Sequence, residues 1–443
     1  MNKYTAEELL SFIEKSPTSF HAVESMALEL EEAGFKHLYE EELWNLKPDG
    51  KYYVTRNGSS LIAFTIPSEE MKSFQIMASH SDSPTFKLKE NPEIEAEGHF
   101  VKLNVEKYGG MLMAPWFDRP LSLAGRLLFR EEDQIVSRLV KVDRDLVQIP
   151  SLAIHMNREV NDGYAYNPQN DMLPLFGGEG TKGSLMKILS EQAGVSPEHV
   201  LGMDIYLYNR MKGSIWGAKE EFISSARLDD LQCAFSSLKG FLVSRNRKHV
   251  MMHCVLDNEE VGSLTRQGAA STFLKDTLER ISDGMGLDRA SYLRALASSF
   301  MLSADNAHSV HPNYQDKTDP GNRPYINGGI VLKFNANQKY TTDGISSAVF
   351  RTICAHAQVP CQVYVNRSDI PGGSTLGNIS NGQVSLPMAD IGLPQLAMHS
   401  PYETAGVKDT EHLIKAARTF YSSDIEIVKD HIYKVKMDDE TEE

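Results

Sequence analysis

The spacing of apolar positions changes along the chain, and each change predicts a different kind of element. Near the start, Leu9, Leu10, Phe12 and Ile13 share one helical face, and Thr5 with Glu8 forms a capping box that predicts the helix start. "KSPTS" ends that helix, and a second amphipathic helix follows through "FHAVESMALELEEAG". "KYYVT", a turn at "RNGS" and "SLIAFTI" then read as a strand hairpin. "SFQIMAS" is a further strand, which delivers the chain to "HSDSP" at residues 80–84.

From about residue 91, short β-like runs alternate with Gly, Pro and Asp turns, and no helical pattern of three turns interrupts them before about residue 181. After about residue 225 helices and strands alternate again. "RLDDLQCAFSSLKGFLVS" predicts a helix, "HVMMHCVL" a strand, and "GSLTRQGAASTFLKDTLERI" a helix. "ASSFMLSAD", "PCQVYV" and "PQLAMHS" predict more strands. The expected architecture is one α/β domain with a mixed central sheet flanked by helices, built from residues 1–90 and 224–443. An all-β module at residues 91–223 is set into it. The closing segment "KMDDETEE" is expected to fray as an acidic tail.

A chain of 443 residues that is 41% hydrophobic can bury a large core. The net charge of −15 argues against nucleic acid and against an anionic membrane surface as partners, although part of that count can be acids that hold cations inside. Cys233, Cys254, Cys354 and Cys361 form no CxxC pair, and Cys254 sits in an apolar run as a core residue. Nothing demands a disulfide. No stretch approaches the roughly 18 apolar residues of a membrane span, and "MNKYTAEELLSF" has no long apolar core. The cytoplasm is the expected compartment.

Five predicted strand or loop ends carry the chemistry. They are "MASHSDSP" with His80 and Asp82, "SARLDDL" with Asp229 and Asp230, "LDNEEVGS" with Glu259 and Glu260, "LSADNAH" with Asp305 and His308, and "LAMHSPYE" with His399 and Glu403. Loops beyond the carboxyl ends of strands in an open α/β sheet converge on one crevice. Acids gathered there are heavily penalised unless cations hold them. Two divalent ions suit the inventory better than one, with a bridging carboxylate, one His and one acid for each ion, and room for a shared water. Adjacent Glu259 and Glu260 can then divide the roles, one facing the ions and its neighbour the water. Each motif also has a plainer reading. "EE" alone is commonly a solvated helix start, His80 a hydrogen-bonded strand-end histidine, and Asp305 the cap of a turn. There is no HExxH, P-loop or Rossmann glycine pattern, and "GGEGTKGS" lacks the ending of a phosphate loop.

"HSDSP", "SARLDDL", "LDNEEVGS", "SADNAH", "GGIVLKFNANQKYTTD" and "LPQLAMHSPYETAG" together resemble the M18 family of metallo-aminopeptidases, in family order over almost the whole chain. The resemblance implies a zinc-exopeptidase-like fold and a dizinc site, with cobalt or manganese as possible substitutes. Asp229 would bridge the ions, His80 and Asp305 would complete one, and Glu260 and His399 the other. It implies Glu259 as general base, and Asp82 fixing the His80 ring. It further implies that the β module serves dimerisation, that dimers build a tetrahedral dodecamer, and that His155 in "AIHMNR" enters a neighbouring subunit's site. Lys333 resembles a pocket residue that would attract an acidic N-terminal side chain; its alternative is a lysine at a strand edge with its head in solvent. Where the family often has Asn after the bridging Asp, this chain has Asp230, which matters little facing solvent and alters metal affinity if it turns inward.

The leading expectation is therefore an aminopeptidase acting on peptides, with some preference for N-terminal Asp or Glu. Preference for neutral residues such as Leu, a related dizinc carboxypeptidase or amidase, and a non-catalytic cargo-binding assembly protein are the alternatives.

Overall fold

The computed structural model describes residues 2–437 and is organised around a mixed nine-stranded sheet. Its strands lie in the order Lys36–Leu38, Lys51–Arg56, Ser60–Thr65, His249–Leu256, Ser73–His80, Phe300–Ala304, Met388–Gly392, Ile330–Phe334 and Cys361–Val365. Four central neighbours, His249–Leu256, Ser73–His80, Phe300–Ala304 and Met388–Gly392, run parallel. These strands are mostly apolar and buried on both faces, as parallel strands between helical layers must be. One apolar layer joins the helices Asn2–Lys15, Ser19–Glu32, Leu228–Leu242 and Asp409–Ser422 to the sheet, and a second packs Phe273–Gly284 on the opposite face. Gly240 allows the closest helix approach: a Cβ there would lie 2.5 Å from that of Ala417.

A six-stranded antiparallel sheet has a core of its own, with Phe86, Leu103, Trp116, Leu127 and Leu207 among its buried residues. It begins with Thr85–Ala96, before the change of texture near residue 91, and its last strand is Val200–Asn209. Ser214–Trp216 pairs instead with Phe222–Ser225, and that strand with Glu403–Gly406, in a five-stranded sheet beside the site. The chain thus leaves the central sheet at His80 and enters the antiparallel one at Thr85, with Asp82 between them. Among the described residues, no helix is long and apolar enough to cross a membrane. All four cysteines are free.

Several expected elements differ. Thr5 lies inside the helix Asn2–Lys15 and does not cap it, because Thr5 and Ala6 are buried and Lys3 ion-pairs with Glu220, which holds the first turn helical. The helix expected from residue 262 begins only at Phe273. Gly262, at φ +97°, breaks the run, and the Thr265 and Gln267 side chains are used to bind Asn258. "PQLAMHS" is a strand only at Pro394–Leu396, with His399 in a turn at φ +66°. Met388–Gly392 was hidden by Asp390, a buried acid satisfied by Thr341 and Thr375. In the closing segment, Lys436 and Met437 belong to the strand Ile432–Met437, and residues 438–443 of the expected tail lie outside the described residues.

Candidate metal centre

The parallel register explains why distant acids meet. Leu256 pairs with His80 and Ser303 with Ala78, so Glu259, Glu260, His80 and Asp305 all emerge at one edge of the sheet. Asp229 and Asp230 reach the same edge from the start of the helix Leu228–Leu242, where both depart from helical backbone angles. His399 arrives from the turn after Pro394–Leu396.

Asp229 sits at the middle. Its Oδ1 lies 3.3 Å from Nε2 of His80, and its Oδ2 lies 3.7 Å from Nε2 of His399. On the first side Asp305 is 4.0 Å from His80, and on the second Glu260 is 3.5 Å from His399. Within 4.8 Å of one another, ligand atoms group as His80, Asp229, Asp230 and Asp305, as Asp229, Glu260 and His399, and as His80, Glu259 and Glu260. Asp229 thus belongs to the first two groups, the place of a bridging carboxylate. Oδ1 of Asp229, Oδ1 of Asp230 and Oε1 of Glu260 are buried with no hydrogen-bond partner. Buried carboxylate oxygens left open, beside imidazoles, are what two divalent cations would occupy.

Other acids hold the backbone in place. Asp82 accepts from the N–H groups of Glu259 (3.1 Å) and Glu260 (3.2 Å), and Tyr108 donates its hydroxyl to the same carboxylate at 2.6 Å. The carbonyl of Asp82 lies 3.1 Å from Nδ1 of His80, a contact that can fix the ring. Glu403 accepts from the N–H groups of Asp229 (3.0 Å) and His399 (2.8 Å). Asp230 is fully buried and turned inward, accepting the backbone N–H of His80 at 3.1 Å. Lys333 lies 3% exposed with its ammonium 3.4 Å from Asp305. Its strand has neighbours on both sides, so the strand-edge reading fails. Asp305 likewise does more than cap a turn, since its carboxylate faces His80 and Lys333.

A cavity of about 200 Å³ opens onto this edge, walled by Glu259, Asp305, Lys333, Tyr340 and His399 among others. Glu259 lines it and Glu260 does not. His308 lines the wall but falls in none of the ligand groups. His155 is not brought to the cavity within this chain: it sits exposed in a turn with Leu152, Ile154 and Met156, also exposed. Tyr108 and Asn258 have no role in the sequence reading above. A strand-end aromatic before two glycines in "EKYGG", and an Asn suited to the left-handed φ of +62° just before "EE", were the available signals.

Set by the protein groups alone, the electrostatics are severe. Burial, with the neighbouring carboxylates, pushes Glu259 up to about 8 and Glu260 and Asp230 well above the usual range. Burial also raises Asp305, against the pull of Lys333. For Asp229, burial acts upward but His80, His399 and Lys333 outweigh it and hold the acid low. Burial acts downward on His80, but Asp230, Asp229 and Asp82 outweigh it and raise the imidazole well above its ordinary value.

Imidazoles and carboxylates around one bridging acid, at the carboxyl edge of a mostly parallel sheet, define a metal-dependent hydrolase. A family model described as Aminopeptidase I zinc metalloprotease (M18) matches residues 12–421. A probable M18 family aminopeptidase 2 of Clostridium acetobutylicum is 45% identical over 425 residues, 94% of this chain and 98% of the relative. The structure of the Ape4 and Nbr1 complex holds a chain with TM-score 0.92 and 34% identity, covering 95% of this chain and 86% of that one. The S. cerevisiae mApe1 dodecamer gives TM-score 0.83 and 28% identity, covering 94% and 97%. The chain belongs to the M18 family and is a metallo-aminopeptidase.

The raised acids give a pH signature for metal removal. In chelator-treated protein the folded state holds protons that the unfolded chain releases above the ordinary glutamate value of 4.5, until Glu259 itself titrates near 8. Stability should therefore fall as pH rises through that window, by about 1.4 kcal/mol per pH unit for each group so shifted. Zinc should flatten the slope. Urea midpoints with and without metal measure it, and a chelated protein that gains stability across the window would contradict these assignments.

Proposed function

We propose that the protein releases single N-terminal residues from peptides at a cocatalytic pair of zinc ions, with some preference for acidic residues. The observation that carries this reading is the division of the adjacent acids. Glu259 faces the cavity while Glu260 turns to His399. In the proposed arrangement Asp229 bridges, His80 and Asp305 hold one ion, and Glu260 and His399 hold the other. When bound, two such ions supply Lewis acidity toward the scissile carbonyl and make an attacking water easier to deprotonate. Glu259 takes the proton of that water and passes it to the leaving amine nitrogen. Asp82 keeps the His80 ring and the Glu259–Glu260 turn in register. Asp230, facing inward and accepting the backbone N–H of His80, should alter the affinity of the ion held there.

Assembly follows the same reading. Residues 91–223 would form a dimerisation module within a catalytic unit made of 1–90 and 224–443, with the strand at Thr85 and the pairing of Ser214–Ser225 adjusting its edges. Likeness to the mApe1 dodecamer supports self-association of this chain, and we take its form to be a tetrahedral dodecamer assembled from dimers in the cytoplasm. The exposed apolar residues around His155 suit an interface, through which His155 would donate a hydrogen bond to the developing oxyanion in a partner's site.

Glu259→Gln should keep both metals and lose a factor of roughly 10² to 10⁴ in turnover, whereas Asp229→Ala should lose both metals. Equal metal loss in the two would overturn the division of roles, and turnover of peptides with a blocked N-terminus would point to an amidase or carboxypeptidase. Lys333→Leu should lower rates on N-terminal Asp or Glu far more than on Leu. An equal loss on all peptides would assign Lys333 to Asp305 instead. His155→Ala should fold, bind metal and assemble, yet turn over little. Reassembled with Glu259→Gln, it should regain activity, because a mixed dimer has one site with both residues intact. Mixed dimers that stay inactive would remove His155 from the site.

A further inference from the structure

The segment Tyr108–Leu112 leaves the antiparallel sheet and crosses directly behind the metal ligands. Tyr108, the last residue of the strand Phe100–Tyr108, donates its hydroxyl to Oδ2 of Asp82 at 2.6 Å and accepts from Nδ2 of Asn258 at 2.8 Å. Its ring stands edge-on to Tyr206 of the same sheet, with centroids 5.6 Å apart, so the phenol is anchored outside the catalytic loops. Gly109, at φ +79°, passes so close that a Cβ would come within 3.0 Å of the Glu260 Cβ. Leu112 donates its N–H to the carbonyl of His399 at 3.1 Å. One short run thus touches the turn that carries Glu259 and Glu260, the acid that clamps it, and the loop that carries His399.

The geometry points to Tyr108–Leu112 as a brace that positions the metal ligands, with Tyr108 as a positioning residue for Glu259 and Glu260. Asp82 is the element it acts through. That carboxylate receives both backbone N–H groups of the Glu259–Glu260 turn, so its orientation fixes where the two side chains point. Asn258, which precedes them in left-handed conformation, is tied on one side to Tyr108 and on the other to Thr265 and Gln267. Removing the phenol hydroxyl takes one donor from Asp82 and one acceptor from Asn258, and leaves each with fewer anchors. Burial and the Asp82 and Asp257 carboxylates keep that hydroxyl protonated, so its role as donor persists at every working pH. Tyr108 is not among the residues that wall the cavity beside Glu259.

The inference rests on the dimetal reading above, and its test separates the two. In Tyr108→Phe, zinc affinity measured by chelator competition on the isolated protein should fall about tenfold, the low end for groups that orient metal ligands. The kcat should fall with it while KM stays unchanged. The melting temperature of the chelated protein should not move. Gly109→Ala should weaken the Glu260–His399 ion selectively, leaving one tightly held zinc per chain. Unaltered zinc affinity and kcat in Tyr108→Phe overturn the brace. So does a chelated Tyr108→Phe protein that melts lower to the same extent as its loaded form, since that is ordinary destabilisation. Glu259→Gln measured alongside assigns the failure: full turnover there removes the dimetal reading, whereas an inactive Glu259→Gln beside an unaltered Tyr108→Phe removes the brace alone.

Discussion

Burying Asp82, Asp229, Asp230, Glu260 and Asp305 at one sheet edge is the constraint on which the surrounding structure depends. Each unpaired carboxylate taken out of water costs several kcal/mol, and neighbours of like charge add to it. The fold meets this in two ways. Asp82 and Glu403 spend their oxygens on backbone N–H groups, so their charge becomes a means of holding the loops. Asp229 and Glu260 keep oxygens open, and Asp305 leans on Lys333. Acids that hold the backbone and acids whose oxygens stay open are thereby separated, though they look alike in the sequence.

Much of this division was legible before the structure. Each acid or imidazole singled out at a strand end follows a run that is apolar and buried, as with "FQIMAS" before His80 and "MMHCVL" before Asp257. Local periodicity places the strand, and the end of the strand places the site. Asp229 was harder, because it belongs to a helix start whose backbone is not helical, a feature no propensity reports. Thr5 and the segment from residue 262 were misread for a common reason. Local signals favoured a cap and a helix, whereas the burial of Thr5 and Ala6 and the side-chain bonds of Thr265 and Gln267 to Asn258 go with the other conformations.

The partners of Tyr108 and Glu403 were illegible for a different reason. These partners lie far away in sequence: Tyr108 meets Asn258, and Glu403 meets Asp229. No spacing rule connects such pairs, since the link exists only once two sheets have docked. His155 carries the same lesson further, because no contact within one chain brings it to the cavity.

The order of strands in the central sheet also bears on how the protein is made. Ser73–His80 lies between His249–Leu256 and Phe300–Ala304, so one of its edges stays unpaired until the chain has been synthesised through Leu256 and the other until Ala304. At ribosomal rates of roughly 5–20 residues per second those intervals are on the order of tens of seconds. During them a strand that is buried along its whole length in the finished fold offers open hydrogen-bonding edges, the condition that invites pairing with other chains. The antiparallel sheet that starts at Thr85 is completed earlier, at Asn209, and it folds through shorter loops. Nascent chains therefore carry a finished sheet beside an unprotected strand, which makes this enzyme a natural client for chaperones that shield apolar segments until the far half arrives.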